Sequence, residues 1–368
     1  MPLSRINPNF WPSVDFGTDP EGFFSRSDGS IIGAEKIIPK KGLEGWFFYP
    51  EPSKPHGGPR VVLDGVQFEL VVEAGPCRAE VGNDIAKTMR DLQHHLRSYP
   101  GVKVDFRSSV EVSREELDSL DKQSRVLGCQ PSKNLYDTKI GIGVDPETYL
   151  KRSAGGHIHQ GLYEPIYTSP SRRSLHGTMD ERERLVMLDD VLVGLVFTLI
   201  DRDPGAAERR KVYGRAGEYR TPLHGLEYRT LSNCWLRSYQ LMSLAFGLTR
   251  MAAGTLSMTL NSLGDYEDAL MHDVDVMKVR QAINESDLPL ALEQFEHVKR
   301  FITDHIKPYD HNVGLNPRFL KKFDTFVKGI WSDGIERWFP GDPLDNWANM
   351  PEGHDNGWET WLDSKVHA

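Results

Sequence analysis

An α+β fold, with strands early in the chain and helices late, is predicted by three features of the sequence. From Val14 to about Gly82, short apolar runs are cut by Gly and Pro, the pattern of strands and turns. Across 181–202, 233–254 and much of the last hundred residues, apolar side chains recur at helical spacing or fill long runs. No Pro- or Ser-rich linker, internal repeat or low-complexity segment divides the 368 residues, so one main body is expected. The expected organisation is an irregular arm at 1–14, a core at 15–265 and a helical extension at 266–368 packed on that core.

In chain order, Pro2, Pro8 and Pro12 keep the arm irregular, with Phe10 and Trp11 as apolar anchors. Trp46 to Tyr49 and Val66 to Val72 read as strands. Asp84 to Tyr99 reads as a helix, because Ile85, Met89, Leu92 and Leu96 form one stripe. Ser113-Arg-Glu-Glu116 is a capping box that opens a short helix burying Leu117 and Leu120. Residues 135–165 and 210–232 return to strands and loops, and Asp287 to Ile306 is helical again. A Trp-, Gly-, Asp- and Pro-rich tail from Trp331 is expected to wrap over the body.

The composition, 39% hydrophobic and 26% charged, is that of a soluble globular protein and excludes disordered and collagenous classes. The most apolar stretch, Leu185 to Ile200, is shorter than the ~20 residues of a membrane span and carries Asp189 and Asp190, so it reads as a buried helix. A net charge of −9 argues against general nucleic-acid binding, which needs a basic surface. The clusters Arg172-Arg173 and Arg209-Arg210-Lys211 read as solvated charged faces. Cys77, Cys129 and Cys234 are odd in number and far apart, which suggests neither a disulfide framework nor a zinc knuckle. Met1 to Pro12 has no apolar core of a signal peptide, and a reducing, cytoplasmic location is expected.

Four segments gather acids, histidines and arginines at the two-residue spacing that places side chains on one face of a strand. Phe16 to Glu21 aligns Asp19 with Glu21, and Asp64 to Glu73 aligns Glu69 with Glu73. Gly155 to Gly161 aligns His157 with His159. Gly214 to Arg229 offers Arg215, Glu218, Arg220, Glu227 and Arg229. Singly, each segment also fits an exposed strand face or a cross-strand ion pair. Together they suit a metal–phosphate site. Acids on apolar strands are costly unless paired or metal-bound, oxygen donors with an imidazole suit Mg²⁺ or Mn²⁺, and arginines suit phosphate oxygens. Pro20, between two of the acids, marks an edge or a bulge.

The ordered set G-x-D-P-E-x-F, D-G-V-Q-F-E-L, G-G-H-I-H-x-G and R-x-G-x-Y-R…G-x-E-Y-R-x-L-S-N resembles the phage-encoded COOH–NH2 ligases of type 2, over roughly residues 15–240. The segment Gly128 to Tyr136 is similar to that group as well. This family is related to glutamate–cysteine ligase and the glutamine synthetase catalytic domain. The resemblance implies a curved antiparallel sheet forming a funnel, with ATP at one end and substrates at the other. It implies that Asp19, Glu21 and Glu69 hold Mg²⁺ (or Mn²⁺), and that His157 and Glu227 hold a second ion. It directs His159 at the nucleotide phosphates, and Arg215, Arg220 and Arg229 at the transferring phosphate or the acid substrate. Asp19 stands where glutamate–cysteine ligases usually have Glu.

The implied reaction is amide formation from a carboxylate and an amine through an acyl phosphate, with ADP and phosphate released. A carboxylate such as Glu218 or Glu73 would take the amine proton. The expected partners are small-molecule or peptide acids and amines, including modified nucleotides, with no membrane, in the host cytoplasm for a phage-encoded chain. Two other readings stand beside this one. The first is a metal-dependent amidohydrolase using His157 and His159, for which His224, His272 and His297 lack supporting context. The second is a catalytically inactive ligase fold kept for structure.

Overall fold

The computed structural model describes residues 14–40, 43–44, 60–125, 132–137, 144–145, 148–162, 179–260, 266–306, 318–351, 358 and 361–362. The expectations for the arm before Val14, Trp46 to Tyr49, residues 128–131 of the Gly128 to Tyr136 segment and Arg172-Arg173 fall outside them.

The fold is mixed α+β around a large antiparallel sheet. Its strands are β1 (Val14–Thr18), β2 (Glu21–Arg26), β3 (Ile31–Ile32), β4 (Leu43–Glu44), β5 (Arg60–Asp64), β6 (Gln67–Gly75), β7 (Val102–Asp105), β9 (Lys133–Asn134), β11 (Ile158–Leu162), β12 (Glu218–Arg220) and β13 (Gly225–Tyr228), with β8 (Ser109–Glu111) and β10 (Lys151–Ser153) pairing apart from it. The main path runs β3-β2-β6-β1-β11-β13-β12-β9, with β5 also on β6 and β7 also on β2.

The alternation along β6 explains the layering. Phe68, Leu70 and Val72 are buried on one face, and Gln67, Glu69 and Glu73 point to the other. Full burial of side chains such as Phe68 and Leu70 contributes about 1.5–3 kcal/mol each. That apolar face is covered by helices. α1 (Arg78–Leu96) packs on β1, β5 and β6, α7 (Tyr239–Leu260) on β1, and α4 (Met179–Asp189) on β13. Ile85, Met89, Leu92 and Leu96 do form the buried stripe of α1, which starts earlier than the sequence suggests because Cys77 caps it.

The short helix α2 (Arg114–Asp118) forms half of the expected capping box. Ser113 Oγ accepts from Glu116 N, but the Glu116 carboxylate turns away to Gly33 N, Arg26 and Lys36. A further short helix, α3 (Lys122–Arg125), follows it.

Leu185 to Ile200 is buried, but as three pieces: the end of α4, a π-helical turn at Asp190–Gly194, and α5 (Leu195–Ile200). The extra residue of a π turn re-aims side chains. Here Asp190 accepts from Tyr228 Oη at 2.7 Å, and Asp189 accepts from Gln160 Nε2 at 2.6 Å, so two buried acids bolt the helix to β13 and β11. Burial pushes the Asp190 carboxyl up to about 7 and Asp189 well above its usual range.

The basic run at 209–211 is a correction. It lies on α6 (Pro204–Val212), where Arg209 and Arg210 are buried and only Lys211 is exposed. Farther on, α8 (Tyr266–Asp273), α9 (Val276–Glu285), α10 (Leu288–Phe301) and α11 (Arg318–Asp333) follow. Both α10 and α11 pack on α5. Two short helices, α12 (Ile335–Trp338) and α13 (Pro343–Ala348), come last, with α13 against α1 and Trp347 donating to the Leu236 carbonyl. No helix among the described residues is long and apolar enough to cross a membrane.

Candidate active site

The polar face of the sheet collects the charged residues. Antiparallel pairing sets Gly17 opposite His159, His159 opposite Glu227, and Glu227 opposite Arg220, so the side chains of β11, β13 and β12 share that face. His157 and Arg229 lie two residues from His159 and Glu227 and join them. On the other side of β1, Glu21 stands opposite Glu69, and Glu69 opposite Val62 of β5.

Pro20 is not at an edge. β1 and β2 both run along interior β6, the chain breaks between them at Asp19-Pro20, and the register of β1 on β6 shifts in an irregularity. The Pro20 carbonyl accepts from Leu70 N, and Glu21 N donates to Gly155 O. The break hands Asp19 and Glu21 to different neighbours.

Asp19 joins His157 and Glu227, with ligand-type atoms all within 4.8 Å of one another. His157 Nδ1 is 3.3 Å from Asp19 Oδ1 and 3.5 Å from Glu227 Oε1, and His159 Nε2 is 3.1 Å from Asp19 Oδ1. Yet buried Asp19 Oδ1 completes no aligned hydrogen bond among the described residues. Burial and the Arg229 charge push His157 down to about 4, so its ring is neutral and a nitrogen lone pair is available. Burial opposes ionisation of Asp19, but the close imidazoles of His157 and His159 outweigh it and hold the carboxyl well below its usual range. Glu227 is likewise held low against burial by His157, Arg220 and Arg229.

Glu21, Asp64 and Glu69 form a second cluster, again with oxygens within 4.8 Å. Glu21 Oε2 accepts from Gly155 N at 2.7 Å and Gln67 Nε2 at 2.9 Å. Burial, then the Asp64 charge, pushes Glu21 up to about 8, and burial with Asp19, Asp64 and Glu21 pushes Glu69 up to about 9. Three carboxylates so close hold protons unless a cation is present.

Arg220 contacts Glu227 Oε1 at 2.5 Å, and Arg229 Nη1 approaches it at 3.3 Å. Arg229 is fully buried, and its Nε and Nη1, like Arg220 Nε, complete no hydrogen bond among the described residues. Arg215 is not drawn into this group. Its guanidinium lies 3.6 Å from Asp137. Glu218 is buried, accepts from Gly214 N at 2.9 Å, and is raised chiefly by burial.

Further side chains to which the sequence motifs give no role also lie here. Asp64 had no assigned role, although Asp64-Gly65 before an apolar strand is a hairpin signal, and the hairpin register carries Asp64 to its place opposite Gln67. His224, on the β12–β13 turn, reaches His159 Nδ1 at 2.9 Å. Tyr213 touches His157 and Arg229. By contrast, His272 is exposed beside Asp273, and His297 bonds the Asp273 carbonyl.

The profile of the family described as Phage phiEco32-like COOH.NH2 ligase-type 2 matches residues 143–272, about a third of the chain. The match spans His157, His159, Arg215, Glu218, Arg220, Glu227 and Arg229 and leaves Asp19, Glu21, Asp64 and Glu69 outside it. It supports an enzyme of the carboxylate–amine ligase kind. No curated protein matches the chain.

Proposed function

We propose that this chain is an ATP-dependent carboxylate–amine ligase that works through an acyl phosphate and releases ADP and phosphate, on a sheet curved into a glutamine-synthetase-like funnel. The observation that carries the reading is one sheet face bearing two oxygen-rich clusters beside the buried Arg229 and the half-buried Arg220, each with an unused donor.

The donor sets fit hard divalent cations. One is carboxylate, imidazole and carboxylate (Asp19, His157, Glu227), and the other is three carboxylates (Glu21, Asp64, Glu69). Mg²⁺ or Mn²⁺ held there would neutralise charge on the triphosphate and the transferring group. Arg229, buried and fixed, and Arg220 offer donors to phosphoryl or carboxylate oxygens without reorganising during the reaction. His159, more exposed than His157, reaches toward the nucleotide phosphates. Arg215, partly exposed beside Asp137, is assigned to the acid substrate. Glu218 lies outside both clusters, and its raised carboxyl suits it to accept the amine proton. The amidohydrolase reading gains little, because His224 bonds to the His159 ring rather than joining a shared ligand point.

The test incubates the whole chain with ATP, Mg²⁺, a mixture of amino acids and peptide carboxylates, and hydroxylamine. Hydroxamate and ADP in equal amounts are expected. AMP as the sole nucleotide product would overturn the acyl phosphate and keep a ligase. Substrate cleavage without nucleotide consumption would overturn the ligase.

A further inference from the structure

Tyr213 belongs to none of the four motif segments, yet it lies against two of the central side chains. It follows α6 as its C-terminal cap, and its hydroxyl is shared by His157 Nε2 and by Arg229 Nη2, which donates to it over 3.1 Å. Its ring meets the His157 imidazole edge-on, with centroids 5.6 Å apart and planes at 88°. Two guanidinium groups lie over the ring, Arg209 at 4.5 Å and Arg229 at 5.1 Å from its centroid. Arg209 is itself buried and donates to the carbonyls of Arg229, Thr230 and Leu231.

The backbone makes room for this contact. A Cβ on Gly155 would collide with His157 Nε2 and the Tyr213 hydroxyl. Gly214, at φ +73°, turns the chain directly after Tyr213, where a Cβ would strike the Arg209 guanidinium.

An imidazole can present either nitrogen by flipping its ring, and the hydrogen bond at the far nitrogen decides which one faces a ligand point. We propose that Tyr213 is a positioning residue that holds Nε2 of His157 so that Nδ1 faces Asp19 and Glu227, and that steadies Arg229 beside the same carboxylate. A phenol can do this for either tautomer, donating to a bare Nε2 or accepting from Nε2–H once Nδ1 binds a cation. The inference rests on the ligase reading for the cation at His157. The orientation of the ring stands on geometry alone.

Tyr213→Phe keeps the ring, its edge contact and both guanidinium stacks while removing one oxygen. Mn²⁺ is titrated into the nucleotide-free chain and read by electron paramagnetic resonance, and the His157 ring nitrogens of the metal-free chain are read by ¹⁵N NMR. Loss of such an outer partner typically weakens metal binding ~10–100-fold, and that loss is expected here with little change in melting temperature in chelator. The His157 nitrogens are expected to report one tautomer in the metal-free wild type and a mixture in the variant. A lower melting temperature with unchanged Mn²⁺ affinity and unchanged ring nitrogens would mean a packing role and overturn the proposal. If the wild type binds no Mn²⁺, the cation part of the ligase reading fails separately. The ring nitrogens then decide, and an unaltered tautomer in the variant overturns the positioning role.

Discussion

Glu69→Gln should make the protein no less stable without metal while largely abolishing its gain from metal. The oxygens of Glu21, Asp64 and Glu69 lie within 4.8 Å of one another. At that distance and an effective dielectric of about 20, each pair of full charges repels by about 3.5 kcal/mol. Three ionised carboxylates would therefore cost ~10 kcal/mol, comparable with the whole stability of a domain. The metal-free cluster must keep protons, in line with Glu69 raised to about 9. The sign follows. A carboxyl raised in the folded state costs stability that grows as pH climbs from its unfolded value toward the folded one, and glutamine carries no such cost.

At alkaline pH in chelator, Glu69→Gln should gain up to about 7 kcal/mol, the two pairwise repulsions that involve Glu69. With about 2.1 cal/mol/K of unfolding entropy per residue over 368 residues, that is up to about 9 °C in melting temperature. Mn²⁺ at ~100 times its dissociation constant should raise the wild type by about 2.7 kcal/mol, or about 3 to 4 °C. A variant with ~30-fold weaker binding gains only about 1 °C under the same conditions. Scanning fluorimetry with chelator or Mn²⁺, at acidic and alkaline pH, measures all four corners. A variant less stable than the wild type in chelator, yet stabilised equally by Mn²⁺, would refute the reasoning.

Glu227→Gln is expected to lower ADP-forming turnover at least ~100-fold, as for a lost charge-stabilising group, with a stability loss of about 1–3 kcal/mol because the amide still accepts from Arg220. Near wild-type turnover would remove Glu227 from the chemistry. Asp190, raised to about 7 by burial, should lower stability progressively between its unfolded value near 3.8 and about 7, and then no further. Asp190→Asn removes that slope, so its stability relative to the wild type should rise across the window by up to ~4 kcal/mol, checked by urea unfolding at several pH values. A difference curve that is flat or falls with pH would contradict a buried neutral acid. Gly156→Ala places a Cβ against the Ser232 carbonyl and the Trp235 indole nitrogen, so a loss of about 2–4 kcal/mol is expected, read as melting temperature. An unchanged melting temperature would mean that the β11 approach is looser than described.

What was legible in the sequence was parity. Alternation told which side chains of β6, β11 and β13 share a face, and the helical stripe of α1 told which residues are buried. What was not legible was adjacency, because which strand lies beside which depends on topology. The resemblance implies one ligand set of Asp19, Glu21 and Glu69, whereas interior β6 and the break at Pro20 put Asp19 with His157 and Glu227, and Glu21 with Asp64 and Glu69. Arg209 and Tyr213 were missed for a different reason. The run 209–211 looks solvated until α6 is known to press it against the sheet, where three carbonyls absorb the Arg209 charge. Asp189 and Asp190 interrupt an apolar run for a reason visible only when Gln160 and Tyr228 arrive from other strands.

The two-residue break at Asp19-Pro20 has a consequence for how this face can change over time. Because Asp19 and Glu21 are separated by a single proline with its φ locked, the offset between the two clusters is written into covalent geometry rather than left to packing. A one-residue insertion or deletion there would turn one acid away from its cluster while the other stayed, since strand parity inverts with every residue. Length variation near this step is therefore expected in the turns beyond β2, and the Asp-Pro-Glu step acts as a ruler between the two clusters.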